Sequence, residues 1–78
     1  MLKQYSYVVA KNNNYFDEYG VKAGDIGCIL EIWDSDYVEV AFSYSNGVDY
    51  AQAAMNIKDL ENADIINIKL PTDPAQST

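Results

Sequence analysis

The side chains of this chain that could carry chemistry are mainly carboxylates, with one thiol beside them. The sequence holds 12 Asp and Glu residues, one cysteine and no histidine. Without histidine it lacks the side chain that most often serves as a general base near neutral pH. Glu31 and Glu39 are the best candidates for a catalytic carboxylate pair, but a chain of 78 residues has little room for a substrate cleft. We therefore predict no catalytic residue and no cofactor.

Cys28 and the run Asp34-Ser35-Asp36 are the remaining candidates for a reactive or metal-binding site. Cys28 lies among apolar residues of a predicted strand, so we expect a small buried hydrophobic residue rather than a nucleophile. The acidic run resembles two ligand positions of a calcium loop, but the glycine and glutamate that follow in such a loop are missing. We expect a turn at this run and no metal site.

Length, charge and cysteine content limit the compartment and the partners. A chain of 78 residues is expected to form one domain. It has no apolar stretch near the roughly 20 residues of a membrane span, no signal-peptide pattern and only one cysteine, so we expect a cytoplasmic protein without a membrane partner. The net charge of −7 should repel nucleic acid and attract a basic protein. Alternatively, this charge only keeps a small protein soluble.

The alternation of β-forming residues with turn residues predicts five strands. We place the predicted strands at residues 4–10, 26–33, 37–44, 48–55 and 65–70. A long loop over 11–25 follows the first strand, and a short helical turn over 56–62 precedes the last. In the second strand, the spacing predicts one buried face formed by Ile26, Cys28, Leu30 and Ile32.

Two turns set the expected register of the three middle strands. A type I′ turn at Asn46-Gly47, with positive φ at both residues, closes one hairpin, and a loop over 34–36 closes the other. In this register every inward residue meets an apolar partner, which favours an antiparallel meander. The expected pairs are Phe42 with Ala51, Val40 with Ala53, Val38 with Met55, Ile32 with Val38, Leu30 with Val40, and Cys28 with Phe42.

The order of these elements is that of a small barrel of the Src-homology-3 type. The motif Val21-x-x-Gly24-Asp25-x-Gly27, followed by Tyr37-x-Glu39-Val40-x-Phe42, resembles a family of short bacterial domains of unknown function with KOW-like barrels. The resemblance implies a bacterial all-β protein with five strands and no assigned catalytic residue. We expect one barrel domain over 1–70, with the helical turn before its last strand, and a flexible tail over 71–78.

The predicted outer face of the meander is acidic and aromatic. It consists of Ile29, Glu31, Trp33, Tyr37, Glu39, Ala41 and Tyr50, with Asp34 and Asp36 beside it. Exposed aromatic residues often anchor protein interfaces, so one interpretation is a docking surface for a basic protein. The predicted partner-binding residues are Glu31, Trp33, Asp34, Asp36, Tyr37, Glu39 and Tyr50. The other interpretation is that the aromatic residues of the 11–25 loop cover this face and complete a second small core.

Two functions follow from these observations. The first is a non-catalytic interaction module, most concretely an acidic inhibitor or immunity protein that neutralises a basic toxin such as a nuclease. The second is an accessory barrel of bacterial or phage origin that binds a small ligand or a peptide, for example in an aromatic groove formed by Tyr7, Tyr15, Tyr19 and Trp33. An exposed strand edge would also allow weak self-association, so we expect a monomer or a weak homodimer.

Overall fold

In the described part of the chain, five antiparallel strands form one sheet in the order β4-β3-β2-β1-β5. The computed structural model describes residues 2–63 and 69–76. Its elements are β1 (Tyr7–Ala10), the single-turn helix α1 (Phe16–Tyr19), β2 (Ile26–Ile32), β3 (Tyr37–Ser43), β4 (Asp49–Asn56), a 3₁₀ turn (Ile57–Asp59), β5 (Leu60–Asn62) and a second 3₁₀ turn (Pro74–Gln76). The prediction of a mainly β protein is confirmed, and the described residues hold five strands, although β5 is not the strand predicted over 65–70. Among the described strands β4 and β5 do not pair, so the sheet is open rather than closed into a barrel.

The first and last strands differ most from their predicted positions. β1 begins only at Tyr7 because Tyr5 has φ 67, a left-handed conformation that a strand does not continue through. The segment predicted as a helical turn holds both the 3₁₀ turn and β5, which pairs with β1. Of the predicted strand over 65–70, residues 65–68 lie outside the described residues, and Lys69 and Leu70 are not in a strand.

The β3–β4 hairpin has the predicted register but a different turn. Phe42, Val40 and Val38 lie opposite Ala51, Ala53 and Met55, as predicted. However, of the two turn residues only Gly47 has positive φ, at 88°. Its N–H donates to the carbonyl of Tyr44 at 3.0 Å. The type I′ prediction is therefore wrong. The predicted pairs still form because the β3–β4 ladder shifts by one residue between Phe42 and Ser43. This bulge leaves Tyr50 as an extra residue in β4.

The left-handed backbone at Gly47 leads to a stability prediction. Gly47→Ala is expected to lower the free energy of unfolding by about 1 kcal/mol, because a β-carbon is disfavoured at positive φ. Gly47→Asn should cost less, since asparagine tolerates this conformation. Urea unfolding of the two variants measures the difference. Equal stability of the alanine, asparagine and wild-type proteins would contradict the role of the turn.

A bulge in β2 changes which residues of that strand face the core. Between Ile29 and Glu31 the β2–β3 register shifts by one residue, so Ile29 pairs with Val40 and Gly27 with Phe42. The expected pairs of Leu30 with Val40 and Cys28 with Phe42 are therefore wrong, whereas Ile32 opposite Val38 is correct. Upstream of the bulge, Ile29 is fully buried and Cys28 is only half-buried.

One apolar cluster packs against the inner face of the sheet. Its fully buried large side chains are Phe42, Ile29, Met55, Val8, Val21, Val38 and Val40. The loop between β1 and β2 closes over this cluster through Val21, with Tyr15 and Tyr19 packed against it. Gly20 and Gly24, both at positive φ, let the loop turn back toward β2. The glycine run is thus a structural connection that delivers the chain into β2.

Candidate functional site

The clearest arrangement of polar and aromatic groups on the outer face is built around Glu39. Its Oε1 accepts a hydrogen bond from Trp33 Nε1 at 3.0 Å, and its Oε2 accepts one from Gln52 Nε2 at 3.0 Å. Glu31 lies directly opposite Glu39 in the β2–β3 ladder, as predicted. The sheet therefore holds one carboxylate in a defined orientation beside a second. Two carboxylates so close together favour a cationic partner between them.

Two aromatic residues at the turn end of the β2–β3 hairpin flank these carboxylates. The backbone N–H of Trp33 donates to the carbonyl of Tyr37 at 3.0 Å, which places the two residues on either side of the turn. Trp33 is 55% exposed and Tyr37 is 44% exposed. We call Glu31, Trp33, Tyr37 and Glu39 the acidic-aromatic strip. Large amphipathic rings that remain accessible beside charges are typical of interface anchors.

The acidic run beside the strip is a turn. Asp34 Oδ1 accepts hydrogen bonds from the backbone N–H groups of Asp36 and Tyr37, both at 2.8 Å. This Asx-type pattern shapes the connection from β2 to β3 and keeps both acidic side chains exposed. Asp34 and Asp36 therefore add negative charge at the end of the strip. Within residues 2–63 and 69–76, no group of three potential ligands is placed to hold a metal ion.

Tyr50 lies apart from the other predicted site residues. Because it is the extra residue of β4, its ring packs against the core cluster, with ring centroids 6.3 Å from Phe42 and 4.7 Å from Tyr44. Burial, and then the Asp25 carboxylate, raise the pKa of Tyr50 to about 12. The structure therefore does not bring Tyr50 to the strip.

Two further residues, Ile29 and Cys28, were assigned to the wrong face of the sheet. Ile29, predicted on the outer face, lies in the core because of the β2 bulge. Ala41 lies on the outer face opposite Cys28, as predicted, and it is buried there. Cys28, predicted to face inward, is half-buried on the outer face, and burial raises the pKa of its thiol. A thiol with a raised pKa is a poor nucleophile at neutral pH.

The long loop borders the strip without burying it. The Tyr15 hydroxyl accepts a hydrogen bond from the backbone N–H of Asn56 at 2.9 Å, at the end of β4. The Glu18 carboxylate, then burial, and more weakly the Glu39 carboxylate raise the pKa of the Tyr19 phenol. Tyr15 and Tyr19 pack against the core, whereas Tyr7 and Trp33 are exposed. The four aromatic residues considered for a peptide groove thus do not share one environment.

Asp59 is a buried carboxylate that the sequence analysis did not single out. Its Oδ1 accepts a hydrogen bond from Asn12 Nδ2 at 2.9 Å, and its Oδ2 accepts one from the Tyr15 hydroxyl at 2.9 Å. These bonds, the Asn12 bond most of all, hold the pKa of Asp59 below its ordinary value. The asparagine-rich run at 12–14 was the available sequence signal, since such amides seek polar partners. The network attaches the long loop to the 3₁₀ turn and has a structural role.

An apolar groove opens beside the strip at the end of the sheet. It has a volume of about 620 Å³ and is lined by the apolar residues Leu2, Ile32, Val38, Ile57 and Leu60. Asp34 and Glu61 also line it, and both are exposed. Asp34 belongs to the turn that follows Trp33, so the groove and the strip are neighbours. The groove leaves no local signal in the sequence, because its walls come from four separate segments.

The chain matches no protein-family model, no curated protein and no solved structure. The resemblance to bacterial KOW-like domains therefore stays a prediction based on its motifs. In the part of the chain that the structure describes, no helix is long and apolar enough to cross a membrane.

Proposed function

We propose that this protein is a non-catalytic interaction module that binds a basic protein through the acidic-aromatic strip. The main observation behind this proposal is the Glu39 carboxylate, which Trp33 and Gln52 orient by hydrogen bonds and which lies opposite Glu31. An orientated carboxylate beside exposed aromatic rings can pair with a lysine or arginine while the rings exclude water around it. The most concrete form of this function is an inhibitor or immunity protein that masks a basic toxin.

The net charge supports the same proposal, and we add a proposed fold type and compartment. A net charge of −7 steers a basic partner toward the protein over distances longer than a contact. The finer fold that we propose is of the Src-homology-3 type, because β5 returns to pair with β1 after a three-strand meander and a 3₁₀ turn. We place the protein in the cytoplasm, where a lone, half-buried cysteine stays reduced.

The proposal predicts a selective loss of binding when the strip loses its charge. A basic protein is first captured at low salt on the immobilised wild-type chain, purified and identified, and its affinity is measured by calorimetry. Glu31→Gln with Glu39→Gln should weaken binding at least tenfold, because the amides keep the shape and remove both charges. Trp33→Ala should also weaken it at least tenfold, as expected for an aromatic anchor.

The control removes the same charge elsewhere. Asp49→Asn with Asp73→Asn also removes two carboxylates, at the opposite end of the sheet, where Asp73 contacts Asn46 of the β3–β4 turn. This variant should bind within about twofold of wild type, because screened distant charges contribute little. If both double variants weaken binding equally, the effect comes from net charge alone, and the proposal of a specific binding strip is contradicted. Failure to capture any basic protein would contradict the function itself.

A further inference from the structure

Within the described residues, one wall of the apolar groove has no cover. Ile32 lies opposite Val38 in the ladder, so its side chain points toward the core side of the sheet. Val38 is almost fully buried, but Ile32 remains 46% exposed. Leu60 is buried at the base, while Ile57 and Leu2 are half-buried. In the part of the chain that the structure describes, apolar side chains of the core side are therefore accessible at this end of the sheet.

The size and the rim of this groove indicate what it can accept. Its volume of about 620 Å³ lies within the range of sites that hold a bulky apolar group. Asp34 and Glu61 carry negative charge at its rim, and Ser35 and Asn62 supply neutral polar groups there. An apolar side chain can pack against the walls, and a lysine or arginine next to it can pair with the acidic residues of the rim. A second copy of this chain fits poorly, because it brings another seven negative charges to an acidic rim.

We infer that the apolar groove is an anchor site for a partner segment in which one bulky aliphatic side chain is flanked by basic residues. This inference rests on the proposed function and makes its partner more specific. The aliphatic side chain enters between Ile32, Ile57 and Leu60, and its basic neighbours meet Asp34 and Glu61. The groove supplies apolar burial, and the neighbouring strip supplies the oriented carboxylate. The partner is thus recognised by an apolar group and positive charge together.

Two synthetic peptides of equal charge separate these contributions. The probes are Lys-Lys-Leu-Lys-Lys and Lys-Lys-Ser-Lys-Lys with blocked ends, titrated to millimolar concentration at low salt into isotope-labelled full-length protein. The leucine peptide should bind about tenfold more tightly, as expected for burial of one aliphatic side chain. It should also shift the methyl signals of Ile57 and Leu60, whereas the serine peptide should leave them unchanged.

Matched variants assign the difference to the groove. Ile32→Ser should reduce the affinity ratio of the two peptides to near one. Val48→Ser should leave the ratio unchanged, because Val48 is 51% exposed but lies at the distant β3–β4 turn. Glu31→Gln with Glu39→Gln should weaken the binding of both peptides and leave the ratio of their affinities unchanged. Dispersed amide spectra of each variant establish that it is folded.

Four outcomes overturn the inference. Equal affinity of the two peptides overturns it and leaves charge-dependent binding by the strip intact. Absence of binding by the leucine peptide at millimolar concentration also overturns it. Nuclear Overhauser contacts in the free protein between the groove methyls and Ile65, Ile66 or Ile68 would show that the chain itself occupies the groove. Self-association that Ile32→Ser abolishes would identify a contact between copies instead.

Discussion

The Gly27→Ala variant is expected to lose about 3 kcal/mol of stability, although alanine normally improves a strand position occupied by glycine. A β-carbon at position 27 would lie 2.5 Å from Val40 Cγ1, 2.9 Å from Phe42 Cε1 and 3.0 Å from the Ala41 carbonyl oxygen. These distances are shorter than van der Waals contact. Because Val40 and Phe42 are fully buried in the core, neither side chain has space to move away.

A double-mutant cycle distinguishes this clash from a general effect of the substitution. Val40→Ala removes the atom nearest to the new β-carbon, so it should cost less in the Gly27→Ala protein than in wild type. Urea unfolding at neutral pH gives all four free energies. Additive losses would mean that the core relaxes around alanine without strain, which would contradict the prediction.

The Asp59→Ala variant is expected to lose about 3 kcal/mol, because it leaves the Tyr15 hydroxyl and the Asn12 amide without their acceptor. Asp59→Asn should lose less, since its amide oxygen can still accept one of these hydrogen bonds. The loop that covers the core depends on this network, so loss of the acceptor should also increase amide exchange in residues 12–15. Unfolding titrations and hydrogen exchange of the two variants measure these effects. An alanine variant as stable as wild type would show that the network is dispensable.

The same carboxylate predicts a dependence of stability on pH. The hydrogen bond from Asn12, with others, places the pKa of Asp59 in the folded state below its ordinary value of 3.8. Its contribution is therefore complete above about pH 4, and it is lost as the pH falls through the lower folded-state pKa. Unfolding free energies of wild type and Asp59→Asn should converge below pH 4. Curves that stay parallel from pH 7 to pH 2 would exclude this linkage.

Strand positions in the meander could be predicted because alternation and turn composition are local properties. Val38, Val40 and Phe42 alternate with more polar residues, and their partners in β4 are apolar at the same spacing. A wrong register would place these side chains against water, so the correct one follows without knowledge of the turn. The pairing of Glu31 with Glu39 was predictable for the same reason, because this pair lies between the β2 bulge and the β2–β3 turn.

The two bulges could not be predicted, and they decide the composition of the candidate site. A bulge adds one residue to a strand without a distinctive composition, so the alternation on either side of it still looks regular. The bulge near Leu30 moves Ile29 into the core and Cys28 outward. The extra residue in β4 turns Tyr50 toward Phe42 and away from the strip. In both cases the packing of the opposite strand, rather than local propensity, determines which way the side chain points.

The sequence by itself determined an acidic, all-β chain with carboxylates and aromatic residues at the β2–β3 hairpin, because charge and periodicity are additive properties of the residues. Only the tertiary structure decided that Trp33 and Gln52 orient Glu39, that Asp59 attaches the loop to the 3₁₀ turn, and that Ile32 borders an open apolar groove. Each of these arrangements joins residues that are distant along the chain or separated by a bulge. Their positions depend on how the strands and the loop pack together, and such packing leaves no local pattern in the sequence.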